Sequence, residues 1–157
     1  MLVLKLHNFR CYENTVIELP LSGSTLIKGE SGVGKSTILN AIFFAYFGKI
    51  EQKCFTHGKT TCSVTLENPT LDLIIKRSCG PNLLQVTYKN KLYEDIHAQS
   101  IIQKKLGCDI EQFHLSSYFD QKKHSSVLSM SPGDRLEFIQ TISNDNEAFN
   151  DKIDIKN

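Results

Sequence analysis

The chain has 157 residues, 40% of them hydrophobic and 22% charged, and its 18 lysine and arginine residues against 17 aspartate and glutamate leave a net charge of +1. That is one domain long enough to bury a core, with the balance of a soluble globular protein, and it excludes a global basic field for nucleic acid, so such binding must come from a local patch or a partner. No apolar run reaches membrane-spanning length, and the apolar start Met1–Leu6, broken by Lys5, is followed by no small-residue cleavage site, so an intracellular, non-secreted protein of cytoplasm or nucleus with no membrane partner is expected.

In chain order, LVLKLHNF (Leu2–Phe9) alternates as a strand and TVIELP (Thr15–Pro20) as a second, short one. The polar RCYENT between them predicts a hairpin. After a turn at Ser22–Ser24, STLIKG predicts a short buried strand running into a glycine-rich loop. Lys35–Phe47 reads as a helix apolar almost all round, hence buried, with Gly48 as its C-terminal cap. TTCSVTLEN, LDLIIKRSC and NLLQVTYKN predict a three-stranded antiparallel meander, separated by the turn signals NPT and GPN. In the first of these, Cys62, Val64 and Leu66 share one face. IHAQSIIQKKLG predicts an amphipathic helix with Ile101, Ile102 and Leu106 on its apolar side. The stretch from Cys108 to Ser126 is mixed and short-range. SPGDRLEFIQTIS predicts a late helix with Ser131 as N-cap, Pro132 first and Asp134 in the capping-box position, burying Leu136, Ile139 and Ile142 with Phe138 alongside. The tail beyond Asn144 is polar.

The five cysteines, Cys11, Cys54, Cys62, Cys79 and Cys108, are odd in number, scattered and without a C-x-x-C pair. Free thiols in a reducing compartment are expected. Cys54, His57 and Cys62 lack a standard zinc spacing and an obvious fourth ligand, so no metal site is expected there.

The chemistry is concentrated in Gly29-Glu30-Ser31-Gly32-Val33-Gly34-Lys35-Ser36, which fits G-x-x-x-x-G-K-[ST] without a gap. Its glycines let backbone N–H groups turn inward and approach a phosphate. The helix start adds unpaired N–H groups and the positive dipole end. Lys35 puts a cation on the outer phosphates, the Ser36 hydroxyl is placed to ligate Mg²⁺, and Thr37 helps on the α-phosphate side. A turn merely joining strand to helix needs neither the Lys nor the Ser, so the motif predicts nucleotide binding.

Hydrolysis asks for more: an acid closing an apolar strand to organise Mg²⁺, and a group that orients water. No run of four apolar residues ending in Asp-Glu occurs. LDLIIKR ends in base, and KLYEDI has two apolar residues before Glu94 and Asp95, which are therefore poor candidates for that role.

The order of features resembles the N-terminal half of an SMC-type or SbcC-type ATPase head, a DNA-repair and chromosome-organising branch of the ABC ATPases. The likeness runs through Asn8-Phe9-Arg10-Cys11-Tyr12, the phosphate loop with its helix Ser36–Gly48, FTHGKTTCSVTLEN, LIIKRS, KKLGCDIEQF, SSYFDQKKH and SPGDRLEFI. It covers Leu2 to about Ile142. Glu30-Ser31 departs from the family, which more often has Pro or Gln and then Asn. An amide is lost near the phosphates and a carboxylate gained.

The resemblance implies an α/β fold, a P-loop lobe of the ABC head type with an antiparallel β subdomain and a C-terminal helical segment. It implies a lobe over residues 1–143 and an arm beginning at 144–157. ATP and Mg²⁺ are the implied cofactors, held by Gly29–Thr37 with Arg10 near the phosphates or on DNA. Gln121 is implied as the Q-loop residue that reaches Mg²⁺ and the attacking water, acting in catalysis with Lys35. Arg77 and Arg135 read as structural. The implied partners are the C-terminal half of the head, a second head, a nuclease or other DNA-processing subunit, and double-stranded DNA. The signature motif, the Walker B strand, the switch His and a sustained heptad are not in this sequence, so a fragment of a longer chain or one half of a split head is expected. Lys49, Lys53, His57 and Lys59, with the pairs Lys104–Lys105 and Lys122–Lys123, are the local basic stretches open to DNA. Two rivals stay open. One is a non-catalytic nucleotide-binding or docking module, separable by Lys35→Ala. The other is a different small P-loop NTPase or kinase, which should carry an Arg-rich lid after the loop where this chain has a β-meander.

Overall fold

The computed structural model describes residues 1–49, 53–118, 130–136 and 138–140. Two compact units divide the chain, Met1–Gly107 and Cys108–Asn157.

The first unit is built on one antiparallel sheet. β1 (Leu2–Phe9) and β2 (Tyr12–Leu19) form a hairpin from Leu2↔Leu19 to Phe9↔Tyr12 around the two-residue turn Arg10–Cys11. β3 (Cys62–Asn68), β4 (Leu73–Cys79), β5 (Leu83–Tyr88) and β6 (Lys91–Glu94) follow as a meander. β3 pairs with β1, so hairpin and meander make a single six-stranded sheet in the order β2-β1-β3-β4-β5-β6. The alternation anticipated for Cys62, Val64 and Leu66 holds, all three being buried. In register with them on the same face lie Leu4, Leu6, Ile75 and Val86.

That apolar face needs a cover, and two helices supply it. α1 (Lys35–Phe47) packs on β1, β3 and β4, while α2 (Asp95–Leu106) packs on β5 and β6 and touches α1. The Phe9 and Phe44 rings meet at 5.7 Å with a 36° tilt. Both helices end at glycines in the left-handed conformation, Gly48 (φ 70°) and Gly107 (φ 67°), whose N–H groups donate to Phe44 O and Gln103 O. Asn68 ties the β3–β4 turn to α1. Its amide oxygen accepts from the N–H groups of Thr70 and Leu71, and its amide nitrogen donates to the Tyr46 hydroxyl at 3.0 Å.

In the second unit, α3 (Ile110–Ser116) opens with a capping box. The Asp109 carboxylate accepts from Gln112 N at 2.8 Å and the Gln112 side chain accepts from Asp109 N at 2.9 Å. Residues 132–136 and 138–140 are helical. Ser131 Oγ accepts from Asp134 N at 3.3 Å, as the sequence anticipates.

The α/β class with an antiparallel subdomain holds, and several local expectations are corrected. Ser24–Gly29 is not a strand: its backbone has no ladder partner among the described residues, and Leu26 is 75% exposed. β2 begins three residues earlier than expected, at Tyr12, because the hairpin closes over a two-residue turn. α1 is not buried all round, since Leu39 is exposed. β6 and α3 form from stretches in which no element was expected; β6 is short enough to hide in a turn-rich segment, and α3 depends on its capping box rather than on a long apolar stripe. Leu136 and Ile139 are exposed rather than buried, at 58% and 51%. An apolar stripe at helical spacing records that a helix wants a partner, not that the partner lies in the same chain. Ile142, the boundary at 143/144 and the 144–157 segment lie outside the described residues.

Candidate functional site

The loop Gly29–Gly34 joins the extended segment to α1. Two of its glycines need to be glycine: Gly32 has φ 85° and Gly34 φ 100°, in the region disfavoured for residues with a Cβ. Gly34 is also the N-cap of α1, its carbonyl accepting from Thr37 N at 2.9 Å and Ile38 N at 3.4 Å. Gly34 has no side chain to cap the helix, and the first turn of α1 contains no acid. The first N–H groups and the positive dipole end are therefore left for an anion.

Lys35 closes the mouth of this loop. Its Nζ donates to Gly29 O at 2.9 Å and to Glu30 O at 2.5 Å, so the ammonium is held by carbonyls of the loop it serves. Ser36 is exposed on the first helical turn and Thr37 is buried behind it. Val33 is exposed, and a Cβ on Gly29 would meet its side chain. Glu30 and Ser31 are exposed as well.

The Arg10–Cys11 turn comes to the far side of the loop. A Cβ on Gly34 would run into Cys11 Sγ and the Tyr12 ring, and the Tyr12 hydroxyl donates a long 3.4 Å hydrogen bond to Gly34 O. Burial, then the neighbouring Cys11, raises the Tyr12 pKa, so the hydroxyl keeps its proton and remains a donor. Arg10 itself has φ 52°, and its backbone N–H donates to Cys54 O at 2.8 Å. Its Nε is buried without a hydrogen-bond partner among the described residues. A buried guanidinium N–H left without a protein acceptor fits an acceptor that a ligand supplies. Gly29–Thr37 are thus gathered at the start of α1, with Cys11 and Tyr12, the residues after Arg10, against Gly34. Gln121 lies outside the described residues.

Cys11 and Tyr12 are the contacts that motif reasoning passes over. Their signal in sequence is membership of the Asn8-Phe9-Arg10-Cys11-Tyr12 segment, which gives them no role at the loop.

Arg77 works at the opposite end of α1. Leu6, Val64, Arg77 and Leu84 form one register row across the buried face, which aims the guanidinium at the C-terminus of α1. Nε donates to Ala45 O at 3.1 Å, and Nη2 donates to Tyr46 O at 3.3 Å and to Gln99 Oε1 at 2.7 Å. The cation satisfies the last carbonyls and the negative dipole end, a structural role. Burial lowers its pKa to about 10, which leaves it charged at neutral pH. A cavity of about 410 Å³ opens beside it, lined by Phe44, Asn82, Leu84, Asp95 and Gln99 among others.

Glu94 and Asp95 stand at the edge of the sheet. Glu94 is the N-cap of α2 and accepts from the Gln85 side chain at 2.7 Å. Among the basic stretches, Lys53, His57, Lys59 and Lys104 are exposed. Lys105 Nζ lies 4.4 Å and Lys89 Nζ 5.5 Å from the Tyr88 ring centroid, and the hydrogen bond from Lys105 lowers the Tyr88 pKa. Lys122 and Lys123 lie outside the described residues. Among the described residues no helix is long and apolar enough to cross a membrane.

Comparison with known proteins places these features in context. A family model described as AAA domain matches residues 4–157. "Uncharacterized protein 094L" of Invertebrate iridescent virus 3 is 37% identical over 142 residues, covering 90% of this chain and 16% of that protein. "Uncharacterized protein 050L" of Invertebrate iridescent virus 6 is 34% identical over 146 residues, covering 91% of this chain and 12% of that protein. The "DNA double-strand break repair Rad50 ATPase" of Methanocaldococcus jannaschii is 30% identical over 146 residues, covering 87% of this chain and 14% of that protein. The chain spans a small part of the length of each relative it matches.

Proposed function

The chain belongs to the AAA domain family, as an N-terminal region of the SMC/SbcC type, and on that membership we propose that it binds ATP with Mg²⁺ at Gly29–Thr37 and forms one lobe of a composite ATPase head. It is an ATPase region of the SMC and Rad50 kind. The observation that carries the proposal is the loop itself: left-handed Gly32 and Gly34, Lys35 Nζ on the Gly29 and Glu30 carbonyls, and a helix start with neither a capping side chain nor an acid, with Cys11 and Tyr12 packed against Gly34.

The residues present fit a nucleotide. Lys35 would exchange the Gly29 and Glu30 carbonyls for outer phosphate oxygens. The open N–H groups of α1 and the loop would hold the phosphate chain. Ser36 would ligate Mg²⁺, with Thr37 behind it on the α-phosphate side. Arg10 would supply the second cation, and its rigid turn against Gly34 would set the position from which it acts. When bound, Mg²⁺ neutralises charge developing on the phosphates during transfer. Gln121 would orient water and reach the metal.

A second segment would complete turnover. The sequence has no run of four apolar residues ending in Asp-Glu, and the apolar Leu26, Val33 and Leu39 stand exposed around the loop and its helix. Both facts support a C-terminal half of the head as the cover, and dimerisation of two heads as the step that assembles the hydrolytic site. Lys53, His57, Lys59 and the Lys105–Tyr88–Lys89 group support contact with double-stranded DNA, with a nuclease or other DNA-processing subunit as partner in repair or chromosome organisation inside the cell.

The test is nucleotide binding by this chain followed by addition of the C-terminal segment. ATP binding alone at first, with turnover appearing on addition, is the expected result. Robust turnover by the isolated chain would overturn the composite-site reading.

A further inference from the structure

Three of the five thiols meet at one end of the sheet. Cys62 and Cys79 are direct partners across β3 and β4. Cys54 arrives from the connection between α1 and β3, and its thiol lies near enough to both to raise their pKa values after burial has done so. None of the three is in a disulfide. Cys54 and Cys62 are buried, while Cys79 is half-buried. No group of His, Cys, Asp or Glu among the described residues has the geometry to hold a metal ion, so the cluster calls for a different chemistry.

We propose that Cys54 and Cys79 form a reversible disulfide when the protein meets a peroxide, and that the bridge clamps the α1–β3 connection to the end of β4. Cys79 is the entry point because it is the least buried of the three, although burial and then Cys54 raise its pKa as well. Its sulfur attacks the peroxide O–O bond, which breaks. Cys79 becomes a sulfenic acid and one water leaves, carrying the thiol proton. The Cys54 sulfur then attacks the sulfenic sulfur. The S–S bond forms, the S–O bond breaks, and the hydroxide leaves as a second water with the Cys54 proton. Two thiols lose two electrons and two protons, which the peroxide takes up. Cys62 is the poorer resolving group: burial first, and then the hydrogen bond with Cys54, push its thiol up to about 12.

The bridge reaches the nucleotide loop through backbone contacts. Cys54 O accepts the Arg10 N–H at 2.8 Å, Asn8 O accepts the Thr56 N–H at 2.9 Å, and Phe55 pairs with Phe9. Gly80, next to Cys79, is pressed against the same connection, since a Cβ there would run into the Thr60 carbonyl and touch Phe55. Fixing Cys54 to β4 therefore fixes the Arg10 turn that stands on Gly34. This last consequence rests on the nucleotide-site reading; the disulfide does not.

The test is peptide mapping of the full chain, unreduced, after treatment with hydrogen peroxide and after reversal with a thiol reductant. A cross-linked Cys54–Cys79 peptide that vanishes on reduction is expected. Cys54→Ser and Cys79→Ser should each abolish it, and Cys62→Ser should keep it. A Cys62–Cys79 bridge, or oxidation confined to Cys11 and Cys108, would overturn the proposal. Tryptic cleavage after Lys53 and Lys59 reports the clamp: it should slow by about fivefold in the bridged form and recover on reduction, as expected of an opening-limited site. Unchanged cleavage in a fully bridged protein would overturn the clamp. Neither readout uses nucleotide, so loss of ATP binding by itself leaves this proposal standing.

Discussion

Gly34 and Cys11 lie so close that a Cβ on the glycine would sit 2.5 Å from the Cys11 sulfur. The hairpin turn and the phosphate loop, 23 positions apart in sequence (34 − 11), are therefore one packed unit, and Gly34 also holds a left-handed φ of 100°. Gly34→Ala meets both penalties. It should cost about 1–3 kcal/mol of stability and weaken nucleotide binding at least about tenfold. Adding Cys11→Ala should recover the Cys11 share of the steric cost and leave the Tyr12 contact and the backbone part, which a melting series on the single and double variants reads.

Among the described residues, Lys35 Nζ is tied only to the Gly29 and Glu30 carbonyls. Lys35→Ala should therefore leave the melting temperature nearly unchanged, within about 0.5–1 kcal/mol, while ATP affinity falls by about 100-fold or more. Equilibrium titration with a fluorescent ATP analogue checks it. Retained affinity would remove Lys35 from the site.

Arg10 carries two costs, a left-handed φ of 52° and a buried Nε without a partner. Arg10→Gly relieves both. Stability should rise by about 1 kcal/mol or more while nucleotide affinity drops severalfold. Opposite signs in the two measurements mark a residue retained for a ligand rather than for the fold.

Arg77 should show the reverse pattern. Arg77→Met strands the Ala45 carbonyl and Gln99 Oε1 and removes one of the two donors to Tyr46 O, which Gln99 Nε2 still serves, and should destabilise by about 1–3 kcal/mol. Nucleotide affinity of the folded fraction should not change, because the contact is at the other end of α1.

Cys62 should resist alkylation in the native protein. It is 2% exposed and its thiol is pushed up to about 12, so the thiolate fraction at pH 8 is about 10⁻⁴. Iodoacetamide should label exposed Cys11 first and Cys62 last. The sign for stability follows from the raised value: the folded state holds the Cys62 proton after the unfolded chain has released it. This contribution is present below about pH 9 and lost as pH climbs towards about 12.

Much of the site was legible one residue at a time. Gly29–Ser36 announces a phosphate cradle because each position answers a local need: a backbone conformation, a donor, a cation or a hydroxyl. α1 and α2, with Gly48 and Gly107 as caps, were legible for the same reason. The strand expected at Ser24–Gly29 was not found, because a strand needs a partner and the apolar letters Leu26 and Ile27 do not say which chain segment supplies one. The exposed Leu136 and Ile139 make the same point for a helix.

Sequence by itself determined the hairpin, the meander β3–β5, α1, α2, the loop motif and the family to which they point, since these depend on periods and spacings that neighbours in the chain enforce. Tertiary structure decided what no spacing encodes. It joined hairpin and meander into one sheet and set Cys11 and Tyr12 against Gly34. It also left Arg10 Nε without a partner, turned Arg77 to the carbonyls of α1, and brought Cys54, Cys62 and Cys79 together. The physical reason is that register and packing are set by which faces bury each other, and those contacts join residues dozens of positions apart.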